Sequence, residues 1–335
     1  MAGSNERRAI VIGGSIAGLF VGAFLRRIGW RVDIYERSPI ELIGRGVGIF
    51  ATHLELFEAL DKCGAGTVDI GVIVYKRITF DREGHTIAEK PQLQIVTSWD
   101  RLRQVLLRAI DRQHYYFGHA FQRLEQDGTG VQVFFANGRS ERADLLVACD
   151  GFRSSVRAQL VPDIQPVYSG YYIWRGAPNE SDLSPDTRRT MFPYYSFYLG
   201  DQLQALGYPI SGADDELRAG HRRYNWGWYR LADAVALKQM CTDDTGCEYE
   251  FGVPPPLVRA RTWSRRCVLR SKTCFHPNTS IALSTSTSRF SHRFMMYALP
   301  AWSTAVWLSW AMQPRRRGRT WASAYRRRGQ KRRLW

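Results

Sequence analysis

Acidic residues vanish from this chain at Ala260. The last 76 of its 335 residues hold 15 Arg and 2 Lys but no Asp or Glu, a segment of +17. The preceding 259 residues hold 30 basic and 31 acidic groups, so the net charge of +16 is confined to one end. A neutral body of this kind is not the evenly basic surface of a nucleic-acid binder, and no specific nucleic-acid partner is expected. Cysteine is sparse: the six thiols (Cys63, Cys149, Cys241, Cys247, Cys267, Cys274) show neither metal-ligand spacing nor a dense framework. That excludes a disulfide scaffold and suits a reducing, cytoplasmic setting. No apolar run reaches membrane-spanning length, and MAGSNERR leads directly into a strand pattern, so neither a span nor a cleavable leader is expected. Aromatics, in contrast, are abundant, with 11 Trp, 16 Tyr and 16 Phe. A chain of this length accommodates one large domain or two smaller ones, with a sizeable core and an aromatic-lined pocket.

The stretch around which the chain is organised is Ile10 to Arg37, IVIGGSIAGLFVGAFLRRIGWRVDIYER. Ala9 to Ile12 is an apolar run suited to a parallel strand covered on both faces. Gly13 and Gly14 permit a sharp turn and close backbone approach to a phosphate. Ser15 to Ile28 carries apolar residues at near-helical spacing, so the free N–H groups of Ser15, Ile16, Ala17 and Gly18 would face an anion. Arg31 to Tyr35 alternates as a second strand. Glu36 follows Gly18 by 18 residues, where a carboxylate accepts from ribose hydroxyls. The run Gly13-Gly14-Ser15-Ile16-Ala17-Gly18 departs from G-x-G-x-x-G by Ser at the middle glycine. Serine is small and can itself bond a phosphate oxygen. Strand, turn, helix, second strand and acid together predict a dinucleotide-binding βαβ unit.

Further along, Gly44 to Ile49 is a second glycine-rich loop, and Gly46 and Gly48 are candidates to lie against a flat ring or ribose. His53 to Leu60 is predicted as a helix. Gly71–Phe80 and Gly84–Ala88 are predicted as a hairpin turning at Asp81 to Gly84. Ser98 starts a helix whose Arg101 and Arg103 are expected to be solvated, with Arg103 the candidate to reach a cofactor phosphate. Strands are predicted at Phe121–Leu124, Gly130–Phe135 and Ala143–Ala148. The last of these runs into Asp150-Gly151, where a strand-end carboxylate can accept from a ribose hydroxyl. From about 165 to 252 aromatics crowd into short alternating stretches, among them Tyr171, Trp174, Tyr195, Phe197, Tyr224, Trp226 and Tyr229. Most are expected to be core, and a few to line a pocket for a planar molecule.

The opening GGSIAGL, the Glu36-Arg37 pair and the run Asp150-Gly151-Phe152-Arg153-Ser154-Ser155-Val156-Arg157 together resemble the FAD-dependent aromatic-ring hydroxylases of the p-hydroxybenzoate hydroxylase fold. Thr97-Ser98-Trp99-Asp100, Tyr168-Ser169-Gly170-Tyr171, Trp174-Arg175-Gly176, Tyr224-Asn225-Trp226 and Val253-Pro254-Pro255-Pro256 are most similar to its 2,6-dihydroxypyridine 3-hydroxylase branch. The resemblance covers about residues 8 to 259. It implies an α/β fold, a Rossmann-like FAD-binding domain with an inserted antiparallel β-sheet substrate domain and an irregular C-terminal tail. The implied boundaries are 1–164 for FAD (with a hairpin insertion at about 70–95), 165–259 for the substrate sheet and 260–335 for the tail. It further implies that the first turn and Glu36 hold the ADP half of FAD, that Arg37 flanks the adenosine, and that Asp150-Gly151 sits at the flavin ribose and diphosphate. Many relatives carry Arg where Trp99 aligns. O2, an electron-rich phenol or hydroxypyridine, and transiently bound NAD(P)H are the implied partners, and a homodimer is allowed. No residue stands out as a catalytic base, and the flavin carries the hard step.

The family pattern next requires a second FAD motif, Gly-Asp-Ala-Ala, and none follows Ala260. Joining the last base of each codon to the first two of the next supplies one. Trp310 into Ala311 must give Gly, Ala311 into Met312 permits Asp, Met312 into Gln313 must give Ala, and Gln313 into Pro314 gives Ala or Thr. Gly318 to Ala322 then permits Pro-His-x-Gly, where the pyridine-hydroxylase branch carries it. The expectation is that the reading frame is lost near Ala260 and that the Arg runs are GC-rich codons misread. The competing expectation is a genuine basic tail for nucleic acid or anionic membrane.

Overall fold

The computed structural model describes residues 7–42, 48–67, 69–200, 203–212, 215–242 and 245–249, together with the backbone of 295–300. Strand β1 (Arg8–Ile12) is the apolar run expected, and Ala9 to Ile12 are at most 3% exposed. Helix α1 (Ile16–Arg27) returns over it and buries Leu19 and Ala23. Gly22 lets that helix close on the sheet, because a Cβ there would come within 2.8 Å of Ile34. The helix ends where Gly29 turns at φ +87°, and the Trp30 N–H caps the Leu25 carbonyl at 3.1 Å. Strand β2 (Arg31–Tyr35) lies parallel to β1.

Next come β3 (Gly48–Thr52), α2 (His53–Cys63), the long pair β4 (Val72–Phe80) and β5 (Thr86–Ser98), and α3 (Trp99–Leu107). A two-residue strand, β6 (Tyr115–Tyr116), then β7 (Phe121–Asp127), β8 (Gly130–Phe135), β9 (Ser140–Ala143) and β10 (Leu145–Ala148) lead to α4 (Ser155–Leu160). The second half holds β11 (Tyr168–Gly176), α5 (Pro185–Thr190), β12 (Tyr195–Gly200), β13 (Leu203–Ile210), β14 (Arg223–Leu231), α6 (Ala234–Met240) and β15 (Met295–Pro300).

These elements form a mixed α/β fold with three sheets. The first is parallel, in the order β10-β1-β2-β6. The second has eight strands, β15-β11-β14-β13-β12-β4-β5-β3, antiparallel except where β12 runs parallel to β4. The third is the small meander β7-β8-β9. Two expectations change in detail. The hairpin predicted to end at Ala88 continues along β5 to Ser98, and its strands lie inside the large sheet. The single strand predicted at Ala143–Ala148 is two strands in two sheets. The break falls at Asp144, whose carboxylate accepts from the Arg8 N–H at 2.7 Å and whose own N–H donates to the Arg8 carbonyl at 3.0 Å. One residue therefore hands the chain from the meander to the edge of the parallel sheet.

Strand alternation sorts the aromatics of the large sheet onto two faces. One face packs Tyr172, Trp174, Tyr224, Trp226 and Trp228 against Phe192 and the Met240 end of α6, as ordinary core. The other presents Tyr195, Tyr208 and Ile210, packed with Val74 and Val96. Among the described residues no helix is long and apolar enough to cross a membrane. The tail from residue 260 lies outside the described residues apart from β15, whose backbone pairs antiparallel with β11. Val253 to Pro256, Cys267 and Cys274 also lie outside them.

Candidate functional site

At the end of β1 the chain turns on glycines that nothing larger can replace. Gly13 adopts φ +103°, and a Cβ on it would lie 2.4 Å from the Cys149 carbonyl oxygen. One on Gly18 would lie 1.9 Å from the Gly13 carbonyl oxygen. The Gly13 N–H donates to the Tyr35 carbonyl at 2.8 Å, tying the turn to the end of β2. Helix α1 then starts at Ser15 with no side-chain cap and no acid in its first turn. The first backbone bond of the helix is Leu19 N–H to Ser15 carbonyl, so the N–H groups of Ile16, Ala17 and Gly18 precede its ladder. An uncapped twelve-residue helix on a glycine turn is a seat for an anion.

Glu36, at the end of β2, is 6% exposed and faces that turn. Its Oε2 accepts from the Gly14 N–H and its Oε1 from the Ser38 N–H, both at 2.9 Å. Each oxygen keeps a second lone pair for a ribose hydroxyl. Arg37, the next residue, is exposed.

Tyr115 closes the turn from β6. Its hydroxyl donates to the Gly14 carbonyl at 2.8 Å and fills the space that a Cβ on Gly14 would need, 2.0 Å away. Burial raises its phenol, against the opposing pull of Arg103. Arg103 donates to the Tyr115 hydroxyl at 3.2 Å and to Glu41 Oε2 at 2.9 Å, and Arg112 pairs with the other Glu41 oxygen. The expectation that Arg103 is solvated is overturned: it is fully buried, because a carboxylate and a phenol supply the partners that a buried guanidinium needs. Its Nε has no hydrogen-bond partner among the described residues. Arg101 is held too, donating to the Asp69 and Asp215 carbonyls.

Beside β1, strand β10 delivers Asp150. Its Oδ2 accepts from the Ser155 and Val156 N–H groups at the start of α4, at 2.8 and 3.3 Å. Its Oδ1 is buried without a partner among the described residues. Gly151 turns at φ +82°. An orphaned carboxylate oxygen, an uncapped helix start and a half-used Glu36 therefore share the C-terminal end of the parallel sheet, the edge where open α/β sheets bind ligands. That donor and acceptor set fits a dinucleotide.

The structure gathers Gly13, Gly14, Ser15, Ile16, Ala17, Gly18, Glu36, Asp150 and Gly151 at that edge, with Arg103 one contact behind Gly14. Gly48 stands elsewhere. It opens β3 opposite Ser98, and a Cβ on it would meet the Tyr208 hydroxyl at 2.6 Å and Asn225 at 2.7 Å. Gly46 lies outside the described residues. Sequence reasoning missed Tyr115, Glu41, Tyr208 and the packing of Asn225 against Gly48. Only Asn225 sat in a stretch already singled out, Tyr224-Asn225-Trp226. An open depression of about 540 Å³ lined by Gly170, Tyr172, Asp233 and Met240 lies on the other face of the large sheet, away from this chemistry.

A profile of the FAD binding domain family matches residues 6–184, and one described as FAD binding domain-like matches 168–293. The likeness thus extends past Arg259, where the motifs had suggested that it ends. The 2,6-dihydroxypyridine 3-monooxygenase of Paenarthrobacter nicotinovorans is 32% identical over 241 residues, which is 71% of this chain and 59% of that protein. The aurachin C monooxygenase/isomerase of Stigmatella aurantiaca is 33% identical over 189 residues, 54% of this chain and 49% of that protein. The solved structure of 2,6-dihydroxypyridine-3-hydroxylase from Arthrobacter nicotinovorans superposes with a TM-score of 0.78 at 27% identity, covering 88% of this chain and 73% of that one. The chain spans about half to three-fifths of the length of these curated relatives.

Proposed function

Because the chain belongs to the FAD binding domain family, we propose that it is an FAD-dependent aromatic hydroxylase, consuming NAD(P)H and O2 to oxygenate an electron-rich hydroxylated ring. The observation that carries this reading is the uncapped start of α1 beside Glu36 and the orphaned Asp150 Oδ1. In it, the N–H groups that open α1 bind the diphosphate, with Ser15 offering a hydroxyl alongside. Glu36 accepts from the adenosine ribose while it braces Gly14, and the exposed Arg37 flanks that end. Asp150 orients the flavin side through Oδ1 while its Oδ2 holds α4 in place. Arg103 contributes positive charge behind the turn and fixes Tyr115 rather than reaching out through solvent. The large sheet roofs the ring with the face that carries Tyr195 and Tyr208. Bound FAD supplies the redox step, in which electrons from NAD(P)H and one atom of O2 convert a ring C–H to C–OH and the second oxygen leaves as water.

A second reading, a flavoprotein that binds FAD without catalysis, is favoured by the missing Gly-Asp-Ala-Ala run. Purified full-length chain decides among the outcomes. Flavin absorbance that survives gel filtration, with NAD(P)H oxidation accelerated by 2,6-dihydroxypyridine, is the result expected. Retained flavin without that acceleration supports the second reading. A colourless chain that does not quench added FAD overturns both.

A further inference from the structure

The inner face of the large sheet carries a polar group that the fold itself does not use. Asn225 is 1% exposed, and its Oδ1 has no hydrogen-bond partner among the described residues. A buried polar atom left unpaired costs on the order of 1–3 kcal/mol, so a fold that keeps one usually has a partner for it from outside the chain. A second polar group stands beside it. The Tyr208 hydroxyl and Asn225 Nδ2 both lie within 2.7 Å of the point a Gly48 Cβ would occupy. Tyr208 is 2% exposed, and burial holds its phenol far above the ordinary range, so it remains a neutral hydroxyl. Its ring meets Tyr195 edge-on at 4.8 Å, and Tyr195 stacks on Phe197 at 4.5 Å. The positive charge of Arg175 acts on Tyr195 and Tyr208. The arrangement is an aromatic wall with one carboxamide, one neutral hydroxyl and a nearby cation.

We propose that Asn225 is the residue that reads the ring substrate, and that it selects a lactam-type nitrogen heterocycle, with a ring N–H next to a ring carbonyl, over a plain phenol. A carboxamide presents an acceptor and a donor in one plane, and the edge of a cyclic lactam presents the complementary donor and acceptor in one plane. A phenol offers only its hydroxyl to that pair and leaves one amide group unsatisfied. Tyr208 then serves a second ring oxygen, and Arg175 favours a ring that has lost a proton. This rests on the reading of the chain as a ring-binding flavoprotein.

Two probes with the same outline separate the cases: 2,6-dihydroxypyridine, whose pyridone form carries the lactam edge, and resorcinol, with C–H in place of ring nitrogen. Binding to the full chain is read by quenching of tryptophan fluorescence and by calorimetry, and FAD content by absorbance in parallel. The wild type is expected to prefer the pyridine by about tenfold or more, since one edge of the amide is otherwise unpaired. Asn225→Leu brings the ratio close to one, weakening the pyridine far more than resorcinol, which loses only the bond of its hydroxyl, with FAD content unchanged. Asn225→Asp, which keeps the shape and the acceptor but loses the donor, gives an intermediate ratio, and circular dichroism verifies that both variants fold. An unchanged ratio in both variants, or a wild type without preference, overturns the proposal. A chain that holds no FAD yet shows the ratio and its loss upholds Asn225 and sinks the flavoprotein reading.

Discussion

At Glu41 one carboxylate serves two guanidinium groups. Arg103 is fully buried and Arg112 is exposed, so the two halves of this arrangement do not weigh equally. The Arg112 half is a surface pair of little consequence. The Arg103 half neutralises a charge that has no water of its own. Glu41→Ala is therefore expected to cost on the order of 2 kcal/mol in urea denaturation, less than a wholly buried pair because Glu41 is one-third exposed. Arg103→Met removes the charge together with its need for a partner, and is expected to cost less than Glu41→Ala. The reverse order would show that Arg103 is not electrostatically dependent on Glu41. Burial alone would push the Glu41 carboxyl up, but hydrogen bonds from Arg112 and Arg103 outweigh it and hold the pKa below the ordinary carboxylate value. Its contribution is thus present above the ordinary carboxylate range and lost as the pH falls through the lowered value. Stability measured from pH 6 downwards is expected to fall more gently in Glu41→Gln than in the wild type. Little of this was legible in the sequence. Glu36 could be found because its distance from Gly18 is set by one helix and one strand. The partners of Arg103 lie 62 and 12 residues away, and no local spacing connects them.

Helix α3 is fastened at Ser98, the last residue of β5. The Ser98 hydroxyl accepts from the Arg101 N–H at 3.0 Å as the helix cap, and it receives the Ser211 hydroxyl at 2.9 Å from beyond β13. Both serines are at most 1% exposed. This one side chain thus joins the helix that carries Arg103 to the sheet that carries Tyr208. Ser98→Ala is expected to destabilise the protein by about 1 kcal/mol, chiefly from the lost cap, because the Ser211 hydroxyl keeps Asp215 Oδ1 as an acceptor at 3.2 Å. In the double variant Ser98→Ala/Ser211→Ala the second change should add less than Ser211→Ala costs alone, because the Ser98–Ser211 bond is already gone and only the bond to Asp215 remains to be lost. Equal, additive costs would mean that the link carries no coupling. The cap itself was legible, since Ser98 precedes a run with apolar residues at helical spacing. The longer β5, the break at Asp144 and the two-residue β6 were not. Length and register in a sheet come from partners far along the chain, and a two-residue strand has no period to detect. Alternation did predict that most aromatics of 165–252 are core. Which face looks inward is decided by α6 and by Gly48, neither of which marks its target in the sequence.

Across the whole molecule the charge divides a neutral body from a tail of +17, and the same boundary divides motif-bearing sequence from sequence with no second FAD motif. The match to the FAD binding domain-like profile runs to residue 293, past the expected change of frame near Ala260, which lies outside the described residues. The codon argument does not depend on where the frame changes. It depends on single bases at named positions. Restoring the shifted reading is equivalent to adding one base upstream, and the restored Gly-Asp-Ala-Ala then requires that the codon of Gln313 end in G, for the second Ala, and that the codon of Ala311 end in G. Any other base there converts the Asp to Asn, His or Tyr. The Pro-His pair likewise requires that Arg319 be a CGC codon following a Gly318 codon that ends in C. A genuine basic tail places no demand on these third bases. Sequencing the gene across codons 305–325 is therefore expected to read G, G, C and C at the ends of codons 311, 313, 318 and 319, and a chain with one base inserted upstream of codon 310 is expected to retain FAD through gel filtration more firmly than the chain as it stands. A different base at Ala311 removes the second diphosphate motif from the shifted frame, and with it the frame-loss account of the tail. The basic segment would then have to be explained by its charge, through salt-dependent retention on an anionic support that disappears when it is deleted.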